Sequence, residues 1–485
     1  MTVSSRLRSR RSPASRFLPA VRFAAALALI ALAAVSCRQL SVKGPDGSAT
    51  GEDVLWSGAV TDSSARVVAR LADTSAAADV RLAVTSGAGT PSWRDARRIV
   101  GTHPATNPHV HHFRLTDLAP RTLYHYALEI NGVIDTTRTG RLETFSETPF
   151  SFRVAMGACA QTGSRHPVFD AIRRTEPDLF LHTGDFHYED IDVDAPAPFR
   201  AAFRNVHASP EQSALYRSTP IAYVWDDHDY GPNNSSRRAP GQDAAQQVYR
   251  EYVPHYPLAT GSGTHPIYQA FTVGRVRFLV TDLRSARTDN EAPDSLKTMM
   301  GAEQKAWFKD QLRAARGRYP VIAWVSSVPW IGDDADAEDR WSGFAEERRE
   351  LATFIDSLGV ADQLVVLSGD AHMVALDDGT NNHFGRAGEQ GGGFPVVHAA
   401  ALDRRGSVKG GPYSHGPYPN RSSLFGDNDG QFVLMDVEDD GRGDVCVTWT
   451  GKRYRYDDDR LSTLVQFSTC YEPVDPPPTA GGSQE

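Results

Sequence analysis

The chain has 485 residues, of which 40% are hydrophobic and 23% charged, a balance that excludes a disordered, collagen-like or polytopic membrane protein. The formal net charge is −9, but residues 1–36 carry six arginines and no acid. The remainder therefore holds 45 basic against 60 acidic side chains, or −15, which argues against a nucleic-acid backbone as the main partner.

Residues 1–37 read as a signal peptide: an Arg-rich start, then 14 apolar or small residues from Phe23 to Ser36, too short to span a bilayer. The run ends in Ala34-Val35-Ser36-Cys37. That ending resembles a bacterial lipoprotein cleavage site with Cys37 as the lipidated mature N-terminus, although such sites prefer Leu where Ala34 stands. Ordinary cleavage leaving a free Cys37 is the alternative, and Arg10-Arg11 lacks the apolar residues of a twin-Arg signal. Either route predicts an extracytoplasmic protein, secreted, periplasmic or membrane-anchored, with membrane contact only through an anchor at Cys37 if that residue is lipidated. Residues 38–50 read as a linker.

Residues 51–147 are predicted to be all-β. The runs VLWSGAV, SARVVARL, DVRLAVTS and HHFRLTDL have strand length and are separated by turn residues. LAPRTLYHYALEINGV follows, and its Leu-x-Pro-x-Thr-x-Tyr-x-Tyr spacing resembles a late strand of a fibronectin/Ig-like sandwich. His109, His111 and His112 alternate along a strand and read as exposed side chains rather than a metal site.

From residue 148 to 455 the rhythm is α/β. FRVAMGAC, DLFLHTGD, PIAYVWDD, VRFLVTDL, PVIAWVSSVP and QLVVLSGD are short apolar strands ending in polar clusters. HPVFDAIRRT, AEQKAWFKDQLRAA and FAEERRELATFIDSL have helical periodicity. A hairpin over FVLMDVEDDGRGDVCVTWTG closes the domain, and residues 456–485 form an extension with a Pro/Gly-rich tail. Cys446 and Cys470, 24 residues apart, can pair in an oxidising compartment or remain two thiols.

Four strand ends finish in potential metal ligands: Cys159 in GACAQ, Asp185 and Tyr188 in HTGDFHYED, Asp226 to Asp229 in VWDDHDYGPNN, and Asp370 with His372 in LSGDAHM. Loops at the carboxyl ends of strands converge on one crevice in an α/β sheet. Ligands far apart in sequence can therefore meet.

This order of motifs resembles the calcineurin-like metallophosphoesterases, and more closely their alkaline phosphatase D (PhoD-like) branch; WDDHDYGPNN is the most specific stretch. The resemblance covers roughly residues 150–450. It implies a four-layer αββα metallophosphoesterase sandwich behind an N-terminal β-sandwich, and a bridged metal centre. Cys159, Tyr188 and His372 would ligate ferric iron, Asp185 would bridge, Asp227 would bind the second metal, and Asp370 would be a ligand or a neighbour of one. His228 would contact the phosphoryl group and serve the leaving oxygen. Asn233 and Asn234 match an Asn pair near metal or phosphate. SSVPW lacks the His that many relatives place on that strand, leaving the second ligand set incomplete.

The chemistry agrees. Thiolate and phenolate suit Fe³⁺, oxygen donors suit Ca²⁺, and a metal pair generates hydroxide at neutral pH to attack phosphorus. Arg284 and Arg287 follow a strand, and Arg284 is the candidate to grip phosphate, with surface ion pairing the alternative. The loop 403–420, with Lys409 and Tyr413, is either an anion-binding lip or a plain loop. The expected activity is phosphomonoester or phosphodiester hydrolysis. The rivals are a phospholipase- or diesterase-type hydrolase on the same site, and a non-catalytic surface-binding protein built on the β-sandwich.

Overall fold

Burial along the predicted strands follows a period of two. Phe278, Val280, Ala323, Val325, Val365 and Leu367 pack in one apolar cluster with Val154, Met156, Leu181, Phe432 and Met435. The intervening Leu279, Ile322, Trp324, Leu364 and Val366 face the other way, towards Phe308 and Leu312 of helix Gly301–Ala315 and Leu351 and Ile355 of helix Ala345–Leu358. Each such side chain, fully buried, contributes about 1.5–3 kcal/mol. The computed structural model describes residues 52–71, 78–335, 338–385, 393–422 and 427–474. The leader, the lipidation candidate Cys37, the linker 38–50 and the tail from residue 475 lie outside them.

One sheet has nine strands. Its order runs Arg460–Tyr471, Val445–Arg455, Gly430–Glu438, Phe152–Gly157, Leu179–His182, Ile221–Tyr223, Glu52–Gly58, Ala65–Leu71, Val110–Leu115. A seven-stranded sheet runs Gln269–Val273, Val276–Val280, Val321–Ser326, Leu364–Ser368, Val396–Ala399, Met373–Asp377, His415–Pro419. The strands Phe152–Gly157, Leu179–His182 and Ile221–Tyr223 are mutually parallel. So are Val276–Val280, Val321–Ser326, Leu364–Ser368 and Val396–Ala399. Parallel strands put their carboxyl ends on one edge, and the polar clusters sit at those ends.

The N-terminal β-region is present. Arg97–Val100, Val80–Ser86, Leu123–Ile130 and Val133–Ile134 form a five-stranded sheet together with Gly140–Glu143. Its other strands continue the nine-stranded sheet through Gly58 paired with Ile221. A Cβ on Gly58 would lie 2.5 Å from the carbonyl oxygens of Ile221 and Pro254, so glycine is needed where the strand closes on its neighbour. His109, His111 and His112, expected to be exposed, are half-buried.

The three predicted helices form, at Val168–Arg173, Gly301–Ala315 and Ala345–Leu358. The last ends on Gly359 at φ 67°, a left-handed cap that glycine adopts freely. Helices Pro196–His207, Pro210–Ser218 and Gln242–Tyr252 were not anticipated. Two of them open with proline, which suits a first helical turn whose N–H groups have no partner. Ser209 caps the second by accepting from Gln212 N at 3.2 Å. The late hairpin gains a third strand, Arg460–Tyr471, and register sets Cys446 opposite Cys470, which form a disulfide. Cys159 is free and buried.

Candidate metal centre

Each donor sits just past a strand end, on backbone turned sharply to aim it. Cys159, Asp185 and Asp370 have φ of 60°, 55° and 68°, a left-handed region that non-glycine residues occupy only at a cost. The turns interlock: Cys159 N donates to Gly184 O at 3.1 Å, Ala160 N to Asp185 O at 2.9 Å and Gly369 N to Ser327 O at 3.1 Å.

Two donor groups result. Ligand atoms of Cys159, Asp185 and His372 lie within 4.8 Å of one another, and so do those of Asp185, Asp227 and His228. Asp185 belongs to both. Tyr188 Oη donates to Asp185 Oδ2 at 2.7 Å and lies 3.1 Å from His372 Nε2. The four residues expected around the first ion are therefore brought together. His372 Nδ1 donates to Arg405 O at 2.6 Å, and burial lowers the ring's pKa to about 4. The imidazole is neutral, and its Nε2 lone pair faces the cluster.

The cluster holds more negative charge than its surroundings compensate. Burial, then Asp185 and Asp370, push the Cys159 thiol up. Burial, then Asp227, Asp226 and Asp229, push Asp185 up. Burial likewise raises Tyr188. Asp185 Oδ1, Asp226 Oδ2, Asp227 Oδ1 and Asp370 Oδ2 are buried without a hydrogen-bond partner. Orphaned carboxylate oxygens beside a thiol and a phenol are the arrangement that bound cations would relieve. The residues present fit a metal pair.

Around the second group, burial would raise Asp227, but Arg284, His228 and the Asn234 N–H outweigh it and hold the carboxyl below its ordinary range. That N–H donates to Asp227 Oδ2 at 2.6 Å. Asn234 thus reaches the site through its main chain, while the side chains of Asn233 and Asn234 are exposed. Asp370 stands beside both groups. Its carbonyl oxygen is 3.7 Å from Cys159 Sγ, and its Oδ1 accepts from Lys409 Nζ at 2.5 Å. Lys409 thereby points from its loop into the site, closer to the lip reading than to a plain loop. In place of the missing His, Ser327 Oγ donates to Asp226 Oδ1 at 2.8 Å.

Arg284 requires a correction. It neither grips a phosphate nor pairs on the surface, because its side chain is fully buried. Its guanidinium donates to Asp226 Oδ1 at 2.6 Å and to Asp339 at 3.0 and 2.9 Å, and lies 3.8 Å from Asp227 Oδ1. Burial opposes its charge, but Asp226, Asp339 and Asp227 outweigh burial and raise its pKa. Arg287 is equally buried on Asp339. Arginine is suited to this task because its fork donates to several carboxylates at once.

Two neighbours were missed. His228 Nδ1 meets Asp190 Oδ1 at 2.5 Å, which fixes the ring and leaves Nε2 for other partners. Asp190 lies five residues beyond Asp185 in the same polar run, and that proximity was the one available signal. The Arg404 guanidinium covers the Tyr188 ring at 3.9 Å, which no sequence pattern announces. His182 and His187 are fully buried, and His398 bonds Ser368 Oγ and Ala371 O.

Residues 154–392 match the family model described as PhoD-like phosphatase. A solved structure of PhoD is 18% identical with a TM-score of 0.69, over 89% of this chain and 93% of that one. A purple acid phosphatase isolated from yellow lupin (Lupinus luteus) seeds is 13% identical with a TM-score of 0.56, over 90% and 78%. The similarity to both is one of fold, mixed α/β and rich in sheet. No curated protein matches.

Proposed function

We propose that the chain, whose residues 154–392 match the PhoD-like phosphatase family model, is a metal-dependent phosphoester hydrolase working through a pair of cations, with Asp185 a donor to each. Cys159, Tyr188, His372 and Asp185 would hold Fe³⁺, and Asp185 and Asp227 would hold Ca²⁺, with Asp370 as a further ligand or a neighbour of one. The observation that carries this reading is the membership of Asp185 in both donor groups. When bound, the cations supply Lewis acidity at the phosphoryl oxygens and a nucleophile at neutral pH.

The chain's own residues do the rest. Asp190 orients His228, whose Nε2 hands a proton to the leaving oxygen. Lys409 places positive charge beside Asp370, where an anionic ester must enter a strongly acidic body. Arg284 acts at one remove, holding Asp226 and Asp227 in place. Asn233 and Asn234 stand exposed at the rim, free to meet the substrate.

We read the two facing sheets with flanking helices as the four-layer αββα metallophosphoesterase sandwich of residues 148–455, preceded by a fibronectin/Ig-like sandwich at 51–147. The Cys446–Cys470 disulfide supports an extracytoplasmic location, since such bonds persist in oxidising compartments.

Purified protein is expected to hold stoichiometric iron, to be coloured by thiolate or phenolate charge transfer, and to hydrolyse nitrophenyl phosphate; comparison with the bis-nitrophenyl ester decides between mono- and diester preference. Asp185→Ala should lower the rate by at least about a thousandfold, the scale of several kcal/mol. A colourless iron-replete sample, or full activity in that variant, overturns the ligand assignment.

A further inference from the structure

A second charged cluster lies away from the metal centre and has the opposite sign. Antiparallel pairing of Ala65–Leu71 with Val110–Leu115 sets Arg66 directly opposite Arg114. Like charges facing each other across a ladder destabilise it. Burial and Arg114 both lower the pKa of Arg66, and no carboxylate raises it.

Both arginines line a cavity of about 220 Å³ together with Thr102, His112, Pro254 and His255, and no acidic side chain lines it. The neighbouring Glu251 is committed elsewhere. Its carboxylate takes Arg200 at 2.7 Å, Thr106 at 2.7 Å and Asn107 at 3.0 Å, and only its carbonyl oxygen meets His112 Nε2, at 2.7 Å. A third arginine, Arg250, lines the adjoining cavity that shares Thr102 and His112 and that Glu251 also lines. Arg250 donates to the carbonyls of Gln246 and His265 at 3.2 and 2.8 Å, and its buried Nε has no partner.

Arg66 and Arg114 form no ion pair among the described residues, in a body of net charge −15 where arginines such as Arg275, Arg284 and Arg348 bond acids. A guanidinium pair meets a tetrahedral oxyanion with two forks, and charge-assisted bonds of that kind are the strong ones. We propose that this cavity at the seam of the N-terminal strands binds a small oxyanion, inorganic phosphate or the phosphate group of a small ester, held by Arg66 and Arg114. The cavity has room for the tetrahedral group and a modest substituent. Occupancy turns the like-charge conflict across the two strands into a bridge between them. No residue of the metal centre takes part, so the site stands or falls apart from the hydrolytic reading.

The test uses the full metal-loaded chain, wild type against Arg66→Gln/Arg114→Gln, in equilibrium dialysis with labelled inorganic phosphate and with phenylphosphonate, which cannot be hydrolysed. Wild type should show one binding event beyond the catalytic centre. The double variant should lose it, or weaken it at least about tenfold, while kcat and KM on nitrophenyl phosphate stay within about twofold. Without anion the variant should melt at or above the wild-type temperature, because the repulsion is gone; that result also shows it is folded. Preference for phosphate identifies free phosphate as the occupant, and preference for the phosphonate identifies a phosphorylated small molecule. Equal stoichiometry and affinity in wild type and a folded variant overturn the proposal, as does a wild type with a single binding event.

Discussion

Cys159, Asp185 and Asp370 share a left-handed backbone at the site, and each such residue costs about 1–3 kcal/mol. Their strain is tolerated because interlocked turns hold them, and what it achieves is direction, since a thiol and a carboxylate from different strands reach one point. At this scale the informative neighbour is Asp190. Its carboxylate at 2.5 Å from His228 Nδ1 adds a polar anchor to a ring that packs on Tyr188 at 4.2 Å. Asp190→Asn is expected to lower kcat about 10- to 100-fold, the usual cost of removing the group that orients a functional histidine, with metal content and KM little changed. Unaltered kcat in steady-state assays would make the contact incidental. Arg284 teaches the converse. A basic residue after a strand looks like a phosphate grip, but with no exposure it acts on carboxylates.

At the level of elements, the junction between the N-terminal strands and the α/β body is built from rings. Trp56 on strand Glu52–Gly58 meets His207 of helix Pro196–His207 at 4.6 Å and Phe186 at 5.6 Å, and its Nε1 donates to Tyr252 O at 2.8 Å. His207 and His182 are buried there with both ring nitrogens unbonded. Burial lowers His207, with a smaller contribution from Arg217, to about 3, and burial lowers His182 to about 3. Unfolded histidine titrates near 6.5, so between those values the unfolded chain binds more protons than the folded one. Stability therefore rises with pH across that window and is lost as pH falls below about 6.5, by up to about 1.4 kcal/mol per pH unit for each histidine. Denaturant titrations of wild type from pH 7 to pH 4 should show this slope. His207→Phe, which keeps the ring contact with Trp56, should remove about one proton's share of it, and an unchanged slope would place the acid sensitivity elsewhere.

For the molecule as a whole, the decisive quantity is charge. A body at −15 concentrates buried carboxylates, a thiol and a phenol where two sheets end, a charge that bound cations would offset. Metal removal should therefore cost stability as well as turnover. Ligands present at a hundredfold over Kd stabilise by about 2.7 kcal/mol each, so the chelated protein should melt several degrees lower and recover on reloading. Chelated protein that melts unchanged in calorimetry would mean that the cluster is compensated by the chain itself.

Much of this was legible in the residues alone. Period-two and period-3.6 apolar patterns carry element type because burial of one face drives each element to form, so the parallel strands and three of the helices were evident. Donor chemistry is a property of residue type, so Cys159, Asp185, Tyr188, Asp227 and His372 could be named as candidates before any fold was known. The family resemblance implied which donors meet and that Asp185 bridges, but tertiary structure alone decided that Arg284 turns inward, that Cys446 and Cys470 bond, and that Arg66 faces Arg114. The physical reason is range. Backbone propensity and hydrophobic periodicity act between residues a few positions apart in the chain, whereas charge, metal ligation and ring contacts act through a few ångströms of space, and only folding determines which residues share that space.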